Sequence, residues 1–313
     1  MEGRAPEDVI EDADDDAIDD TRDDTREDPG DNGQGVRTET LLLALLGDQL
    51  LDRGVAVSTS SIIAVLHRLG VGEHATRATV SRMTRRDLLR SVRQGRQVFL
   101  GLTPRAVAVL RDGRRRLEAE IVDRDWDGRW TMLAFSVPET RRADRHALRT
   151  RLGWAGFARL RSGVWVSPRA ADVSRILAEL DLLDHAEVFR AEATLWTDPA
   201  RIAQEAWDLP AIAAGYRRFL DRWSGGASGD ASAELDALDD LSRRTRLTAE
   251  WLLLIRRDPR LPRALLPAEW PGIRAQELFR SLQSQLVGPA EELAAAGLAT
   301  IPDAQAPRSS AIV

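Results

Sequence analysis

Apolar residues spaced three or four positions apart predict three short helices near the start of the chain, because that spacing places them on one helical face. The leucines within 41–46 form one such face, and the apolar residues within 62–69 form a second. Hydroxyl side chains at 58–61 can cap the second helix, and Gly70 can end it. The three helices are expected at residues 38–53, 58–70 and 75–89.

A period of two then replaces the helical spacing. Residues 89–100 alternate polar and apolar side chains on both sides of Gly95, a pattern that predicts a β-hairpin. Thr103-Pro104 is a typical helix start, and the fourth helix that it begins ends in a run of three arginines. Three helices, a hairpin and a fourth helix predict a winged helix-turn-helix domain over residues 36–122.

The middle of the chain predicts a mixed domain. An apolar run after residue 129 is typical of a buried strand, and Pro138 can open a helix. Strands are expected at 130–137, 157–160, 164–167 and 186–196, and helices at 138–152 and 172–182. This β-α-β-β-α-β order predicts a ferredoxin-like central domain over residues 126–198.

The last third of the chain is predicted to be mainly helical. Helices are expected at 200–223, 233–257 and 273–287. The glycine- and serine-rich segment 225–229 predicts a link, and the four prolines within 258–272 predict an ordered loop. We expect residues 199–300 to form a helical effector-binding and dimerisation domain and residues 301–313 to form a disordered tail. The fold class is therefore α+β, with several domains.

The charge of the chain divides it into two parts. Residues 1–35 carry 15 acidic and 3 basic side chains, for a charge of −12, whereas the rest carries 35 acidic and 41 basic, for +6, within a total of −6. The first segment has few large apolar residues and cannot offset its ordering entropy, so a disordered acidic tail is predicted. A solvated arm is its simplest role. The alternative is a DNA mimic that competes for the basic surface of the winged helix.

The third helix carries a basic stripe. Its polar residues recur every three or four positions, whereas Thr76, Val80 and Met83 are expected to face the core. The residues predicted to contact DNA are Arg77, Thr79, Ser81, Arg82, Arg85 and Arg86 on this helix and Arg93 and Arg96 beside the hairpin turn. This division into an apolar and a cationic face is what a recognition helix needs.

Arginine suits nucleic acid, since its planar guanidinium can donate to guanine O6 and N7 in a major groove about 12 Å wide. All 44 basic residues are arginine. A solvated helix face is the alternative for any single arginine. Residues 36–120 hold 15 basic and 8 acidic side chains, however, with the excess in the third helix and the hairpin. We therefore expect double-stranded operator DNA as the partner of a homodimer.

Composition argues against several classes of site. Without cysteine the chain has no disulfide, thiolate metal site or cysteine nucleophile, and its four histidines lack metal-ligand spacing. The longest apolar runs are far shorter than the roughly 20 residues of a membrane helix, and the N-terminus lacks a signal pattern. We expect a cytoplasmic protein with no metal, cofactor or membrane contact. Paired carboxylates, a phosphate loop and a nucleophile elbow are absent, so no catalytic residue is predicted and an enzyme is not expected.

Two other functions stay open on the residues alone. One is a nucleic-acid-processing enzyme, such as a nuclease acting through the central domain, which would need a carboxylate cluster at a strand end. The other is a nonspecific nucleic-acid-binding or scaffolding protein, which would bind DNA without sequence preference.

From about residue 38 to residue 287 the chain resembles the PaaX-type regulators, repressors of phenylacetic acid catabolism and their relatives. Several linked motifs in the same order make a chance match improbable. They are Leu45-Leu46-Gly47-Asp48, Thr79-Val80-Ser81-Arg82-Met83, Gly95-Arg96, Leu102-Thr103-Pro104, Trp126-Asp127-Gly128-Arg129-Trp130, Leu152-Gly153-Trp154-Ala155-Gly156-Phe157, Gly163-Val164-Trp165-Val166-Ser167-Pro168, Asp258-Pro259, Leu265-Leu266-Pro267 and Trp270-Pro271-Gly272.

The resemblance implies a winged helix, a central domain akin to small CRISPR-associated nucleases, and a helical C-terminal domain. It also implies repression that an acyl-CoA effector such as phenylacetyl-CoA relieves, with contact residues unknown. The related nucleases need an aspartate at the end of their first strand, where this chain has Phe135-Ser136-Val137-Pro138. The acidic tail departs from the family pattern. So does Arg86-Asp87, where relatives often have an acidic residue followed by glycine.

Overall fold

The computed structural model describes residues 36–122, 125–225 and 230–307. The predicted acidic tail at 1–35 lies outside the described residues, as does the end of the predicted C-terminal tail at 308–313. The described residues form eleven α-helices and two four-stranded antiparallel sheets, an α+β architecture. None of the described helices combines the length and the apolar character that crossing a membrane requires.

The N-terminal unit, residues 36–122, contains the three helices, the hairpin and the fourth helix that the sequence predicts. Its elements are α1 (Thr38–Gln49), β1 (Val55–Ser58), α2 (Thr59–Arg68), α3 (Glu73–Arg85), β2 (Leu89–Gln94), β3 (Gln97–Leu102) and α4 (Pro104–Glu118). The predicted caps are in place. Ser58 Oγ accepts a hydrogen bond from Ser61 N at 3.1 Å, and Thr103 Oγ1 accepts one from Ala106 N at 3.1 Å.

Strand β1 was not predicted. Its four residues are too few to display an alternating pattern, and the strand exists because Val57 pairs with Leu100 of β3. Such a pairing between residues far apart in sequence leaves no local signal.

The turn between α3 and β2 explains how this chain replaces the expected glycine. Asp87 has a φ of 55°, in the left-handed region that glycine adopts most easily and that aspartate tolerates better than most residues. Its carbonyl oxygen accepts a hydrogen bond from Thr103 Oγ1 at 2.7 Å. The turn therefore has the backbone shape that a glycine would favour.

The central part has the predicted β-α-β-β-α-β order. Its elements are β4 (Arg129–Phe135), α5 (Arg142–Trp154), β5 (Ala158–Arg161), β6 (Val164–Ser167), α6 (Ser174–Glu179) and β7 (Ala186–Glu192). The strand order is β5-β6-β4-β7 with every pair antiparallel, which fits a ferredoxin-like fold.

The two faces of this sheet pack against different layers. Leu133 of β4 packs with Leu148 of α5 and Leu177 of α6. Trp130, on the opposite face of the same strand, stacks on Trp207 of the C-terminal part with ring centroids 6.3 Å apart. The sheet is therefore a layer with α5 and α6 on one face and the C-terminal part of the protein on the other.

The described residues from 199 onward are mainly helical and end in a short last strand. Its elements are α7 (Pro199–Ala206), α8 (Leu209–Trp223), α9 (Asp230–Asp236), α10 (Asp240–Arg257), α11 (Pro271–Gly297) and β8 (Thr300–Pro302). Helix α11 continues through Pro289, well beyond its predicted end at residue 287. Ala290 and Ala294 are buried in the core of the N-terminal unit, and this packing outweighs the local cost of the proline.

The helical part and the N-terminal unit share one hydrophobic core. Leu241 and Ala249 of α10 belong to the same buried cluster as the leucines of α1. Arg244 Nη2 lies 3.2 Å from Asp48 Oδ1, and Arg246 Nη2 donates to Leu69 O at 3.2 Å. Residues 199–300 therefore pack directly against the N-terminal unit through a shared core.

The prediction of a disordered tail from residue 301 is wrong where the structure describes that segment. Strand β8 pairs with β1, with Ile301 opposite Ala56, and completes a sheet in the order β2-β3-β1-β8. Asp303 follows, is buried, and forms an ion pair with Arg90 of β2. The end of the described chain is thus built into the sheet that contains the hairpin.

Candidate nucleic-acid interface

Helix α3 is amphipathic, and its buried face fixes its orientation. Thr76, Thr79 and Met83 are buried, Met83 within the core shared with α1 and α2. Thr76 Oγ1 donates to Gly72 O at 3.1 Å, which satisfies the buried hydroxyl. Because this face is packed, the opposite face of the helix is turned to solvent.

Three residues of the predicted set form an exposed stripe along α3. Arg77, Ser81 and Arg85 are exposed and lie one helical turn apart. Arg77 Nη2 lies 2.7 Å from Glu73 Oε1, but both side chains are more than half exposed, so the pair is weak. A phosphate can therefore compete with Glu73 for this guanidinium.

The structure corrects the assignment of Thr79 to the DNA surface. The residue is 1% exposed, and its Oγ1 accepts a hydrogen bond from Arg82 Nη2 at 2.9 Å. Successive residues lie about 100° apart around an α-helix, so a shift of one position can move a side chain from the exposed face to the packed face. Thr79 is placed to orient Arg82 rather than to touch DNA.

Arg82 and Arg86 lie at the borders of the exposed stripe. Arg82 is half-buried beside Thr79. Arg86 Nη1 lies 2.9 Å from Oε1 of Glu39, in the first turn of α1. The structure therefore ties Arg86 to α1.

A groove of about 590 Å³ lies between α3, the start of α2 and the hairpin. Its polar groups are hydroxyls, an amide and guanidiniums, and its lining includes no carboxylate. We call it the α3 groove, and it is lined by Ser58, Thr59, Ser60, Arg77, Val80, Ser81, Thr84, Arg85, Ser91, Gln97, Val98 and Leu100. Val80, which was expected to face the core, is half-buried and contributes to this surface.

The start of α2 forms a second side of this groove, which the helical pattern of α3 does not predict. Segment 58–60 was identified only as a helix cap, yet it also lines the groove. Thr59 Oγ1 donates to Val98 O at 3.2 Å and so joins α2 to the hairpin. The N-terminus of a helix offers unpaired N–H groups and partial positive charge, which suit a phosphate. The hydroxyl-rich composition was the available signal, but only the fold places it opposite α3.

The hairpin presents Arg93 and Arg96 separately from the groove. Both are exposed on either side of Gly95, whose φ of 60° is typical of the first position of a tight two-residue hairpin turn. Neither lines the α3 groove. The predicted set is therefore divided between the groove, the hairpin tip and the border of α3 that faces α1.

The interface offers hydrogen-bond donors rather than catalytic groups. Guanidiniums and hydroxyls can donate to phosphate oxygens and to base edges. Among the described residues, no group of three or more histidine or acidic side chains is arranged to hold a metal ion. The arrangement suits binding of a polyanion.

Comparison with known proteins finds one family along the chain. The models for "PaaX-like protein", "PaaX protein central Cas2-like domain" and "PaaX-like protein C-terminal domain" match residues 37–106, 123–203 and 207–296. The Transcriptional repressor PaaX of Escherichia coli (strain K12) is 29% identical over 274 residues, and the match covers 83% of this chain and 83% of that one. The solved structure of the uncharacterized protein Rv0674 from Mycobacterium tuberculosis has a TM-score of 0.57 and 24% identity, over 82% of this chain and 98% of that one. That structure supports the fold alone.

Proposed function

The chain belongs to the PaaX family, and on that basis we propose that it is a sequence-specific transcriptional repressor whose N-terminal unit is a winged helix-turn-helix. The observation that carries the proposal is the exposed stripe of α3, with Arg77, Ser81 and Arg85 beside a groove free of carboxylates. The identity with a transcriptional repressor along 83% of the chain supports the regulatory role.

Each part of the interface has a distinct task in this proposal. Helix α3 enters the major groove, where Arg77 and Arg85 donate to base edges. The start of α2 and its hydroxyls bind a phosphate of the flanking backbone. Arg93 and Arg96 at the hairpin tip contact the neighbouring backbone or minor groove.

We propose a homodimer that binds two half-sites of an imperfect palindrome. Strand β7 is a candidate for the dimer contact, because among the described residues its outer edge pairs with no other strand. Its exposed Val188 and Phe189 are followed by Leu195 and Trp196, which are almost fully exposed. Antiparallel pairing of β7 with the β7 of a second copy would cover this edge with two-fold symmetry.

Phe189→Asp is expected to convert the dimer to a monomer, because a charge would be buried at the two-fold contact. The native side chain is 54% exposed, so the substitution leaves the core of each copy intact. Sedimentation equilibrium measures the mass. Val109→Asp, at an exposed apolar residue of α4, is the matched control and should remain a dimer. If the Phe189→Asp variant remains a dimer, β7 does not form the dimer contact.

We propose an acyl-CoA ester, such as phenylacetyl-CoA, as the effector, with its phosphates at a cluster of three arginines. Arg116 lies in the last turn of α4, Arg169 follows β6, and Arg260 lies between α10 and α11. Arg169 Nη2 donates to Arg260 O at 2.7 Å, and Arg260 Nη2 donates to Arg116 O at 3.0 Å. The cluster therefore joins all three parts of the chain, where an anionic ligand can alter their relative positions.

The electrostatics of the cluster favour an anion. Burial, followed by the positive charges of Arg116 and Arg169, lowers the pKa of Arg260. The nearby carboxyl of Asp258 accepts from Tyr216 Oη at 2.5 Å, and burial raises the pKa of that carboxyl. Arg260 also has a φ of 53°, a strained conformation that often accompanies a functional site. A bound phosphate would neutralise the cationic excess.

The proposed function is tested by capturing the preferred DNA of the full chain from a genomic fragment pool and adding phenylacetyl-CoA. We expect specific binding that the CoA ester releases. Specific binding that no CoA ester disturbs would contradict the proposed effector class. Binding without sequence preference would contradict the proposed role as a sequence-specific repressor. Cleavage of the DNA with added Mg²⁺ would favour the alternative of a nucleic-acid-processing enzyme.

Arg169→Ala is expected to raise the phenylacetyl-CoA concentration needed for half-maximal release about tenfold, since a charge-assisted hydrogen bond contributes roughly 1.5–3 kcal/mol. Its DNA affinity without effector should be unchanged. Arg175→Ala, at a 90% exposed arginine of α6, is the matched control. Equal release curves for both variants would exclude the arginine cluster as the effector site.

A further inference from the structure

We propose that the acidic segment 1–35 binds in the α3 groove of its own chain and competes there with DNA. This inference rests on the proposed function, because it treats the groove as the DNA-binding surface. The segment would act as an intramolecular counterpart of the DNA backbone, so that only DNA offering specific base contacts displaces it easily.

Charge supports this occupant. Residues 1–35 carry −12, whereas residues 36–120 hold 15 basic and 8 acidic side chains. Arg77 and Arg85 line the groove with six hydroxyl side chains, and no carboxylate lies among its lining residues. These donors bind carboxylate oxygens by the same charge-assisted hydrogen bonds that they would form with phosphate.

The point of attachment supports it further. Residue 36 packs against the core of the N-terminal unit, and α1 begins two residues later. In its first turn, Glu39 Oε1 lies 2.9 Å from Nη1 of Arg86, the residue that directly follows α3. The segment therefore joins the folded protein beside the C-terminal end of the recognition helix.

The length of the segment is more than sufficient. A fully extended chain spans at most about 3.3–3.6 Å per residue, so 35 residues can extend roughly 100 Å. Helix α3 has 13 residues and is only about 20 Å long. A tethered ligand of this kind acts at an effective concentration of the order of millimolar, so weak carboxylate contacts compete measurably.

The consequence is a loss of detectable binding to nonspecific DNA at concentrations where the preferred DNA still binds. If the segment binds with a dissociation constant about tenfold below its effective concentration, DNA affinity falls about tenfold. Affinity for the preferred DNA falls by the same factor, but this DNA also makes base contacts. It therefore stays bound at concentrations where nonspecific DNA, which makes only backbone contacts, no longer binds detectably.

The test uses the full chain and a variant of equal length in which the 15 acidic residues of segment 1–35 become Asn or Gln. Fluorescence anisotropy measures the affinity of each protein for a random-sequence duplex at low and high salt. We expect the neutralised variant to bind about tenfold more tightly at low salt, with the difference shrinking as salt rises. Equal affinities at low salt would overturn the proposal.

A second measurement separates occupation of the groove from general repulsion of DNA. A labelled peptide of residues 1–35 is titrated into the neutralised variant in the absence of DNA. Binding should be lost when Arg77→Ala and Arg85→Ala are combined, and it should persist with Arg114→Ala and Arg115→Ala on α4. Peptide binding that survives the first pair, or no peptide binding, would overturn the proposal. Because this titration contains no DNA, it gives a result even if the protein has no preferred DNA sequence.

Discussion

Asp303→Ala is expected to lower the free energy of unfolding by about 3 kcal/mol, the low end of the range for removing one member of a buried ion pair. The Asp303 side chain is 2% exposed and its partner Arg90 is 21% exposed, so the substitution leaves a largely buried guanidinium without its counter-charge. The backbone N–H of the same residue donates to Gly54 O at 2.8 Å, which anchors β8 beside β1. The loss of stability should extend to the β2–β3 hairpin, because Arg90 lies in β2.

Urea unfolding followed by tryptophan fluorescence measures this effect. Gln305→Ala is the matched control, since it removes only a long side-chain hydrogen bond, 3.4 Å from Arg90 Nη1 to Gln305 Oε1. It should change stability by less than about 0.5 kcal/mol. Asp303→Asn should fall between the two, because it keeps a hydrogen-bond acceptor without the charge. Equal stability of Asp303→Ala and the native chain would show that β8 is not needed to hold the sheet.

Arg85→Ala is expected to weaken binding to the preferred DNA by about 1–3 kcal/mol, or roughly tenfold to a hundredfold, if this arginine makes a bidentate base contact. Arg85 is exposed on the stripe of α3 and lines the α3 groove. Its removal leaves the packing of α3 unchanged, so the effect should fall on binding and not on stability. Specificity at one base position should relax at the same time.

The measurement is a pair of binding isotherms, on the preferred duplex and on a duplex altered at one position at a time. Arg115→Ala removes the same charge from the 71% exposed end of α4 and should weaken both duplexes slightly and equally. If Arg85→Ala lowers the affinity for all duplexes equally, Arg85 contacts a phosphate and not a base. No loss at all would exclude α3 as the recognition helix.

Local patterns were sufficient for most elements. The spacing of leucines predicted α1, the hydroxyls at 58–61 predicted the cap of α2, and alternation about Gly95 predicted the hairpin. Each of these signals lies within one turn or one strand, so the sequence itself contains it. The order of strands and helices also predicted the ferredoxin-like arrangement of the central part.

Within the candidate interface, the structure places Arg77, Ser81 and Arg85 on one exposed line, which the helical period predicts from local geometry alone. The sequence pattern assigned Thr79 to the exposed face, whereas the structure buries it. A residue at the border of a helix face is buried or exposed according to what packs against it, and the helical period does not show this. The α2 side of the groove was missed for a related reason. Its hydroxyls come opposite α3 only when both helices are packed on the shared core.

The sequence by itself determined the family resemblance, the succession of helices and strands, and the opposite charges of the first 35 residues and the rest. Only the tertiary structure decided that β8 joins β1, that α11 continues through Pro289 and that the helical part shares a core with the N-terminal unit. These features depend on contacts between residues far apart in the sequence, as Arg90 and Asp303 are. Such contacts are stabilised by burial of apolar surface and pairing of charges, and they leave no periodic pattern in either segment.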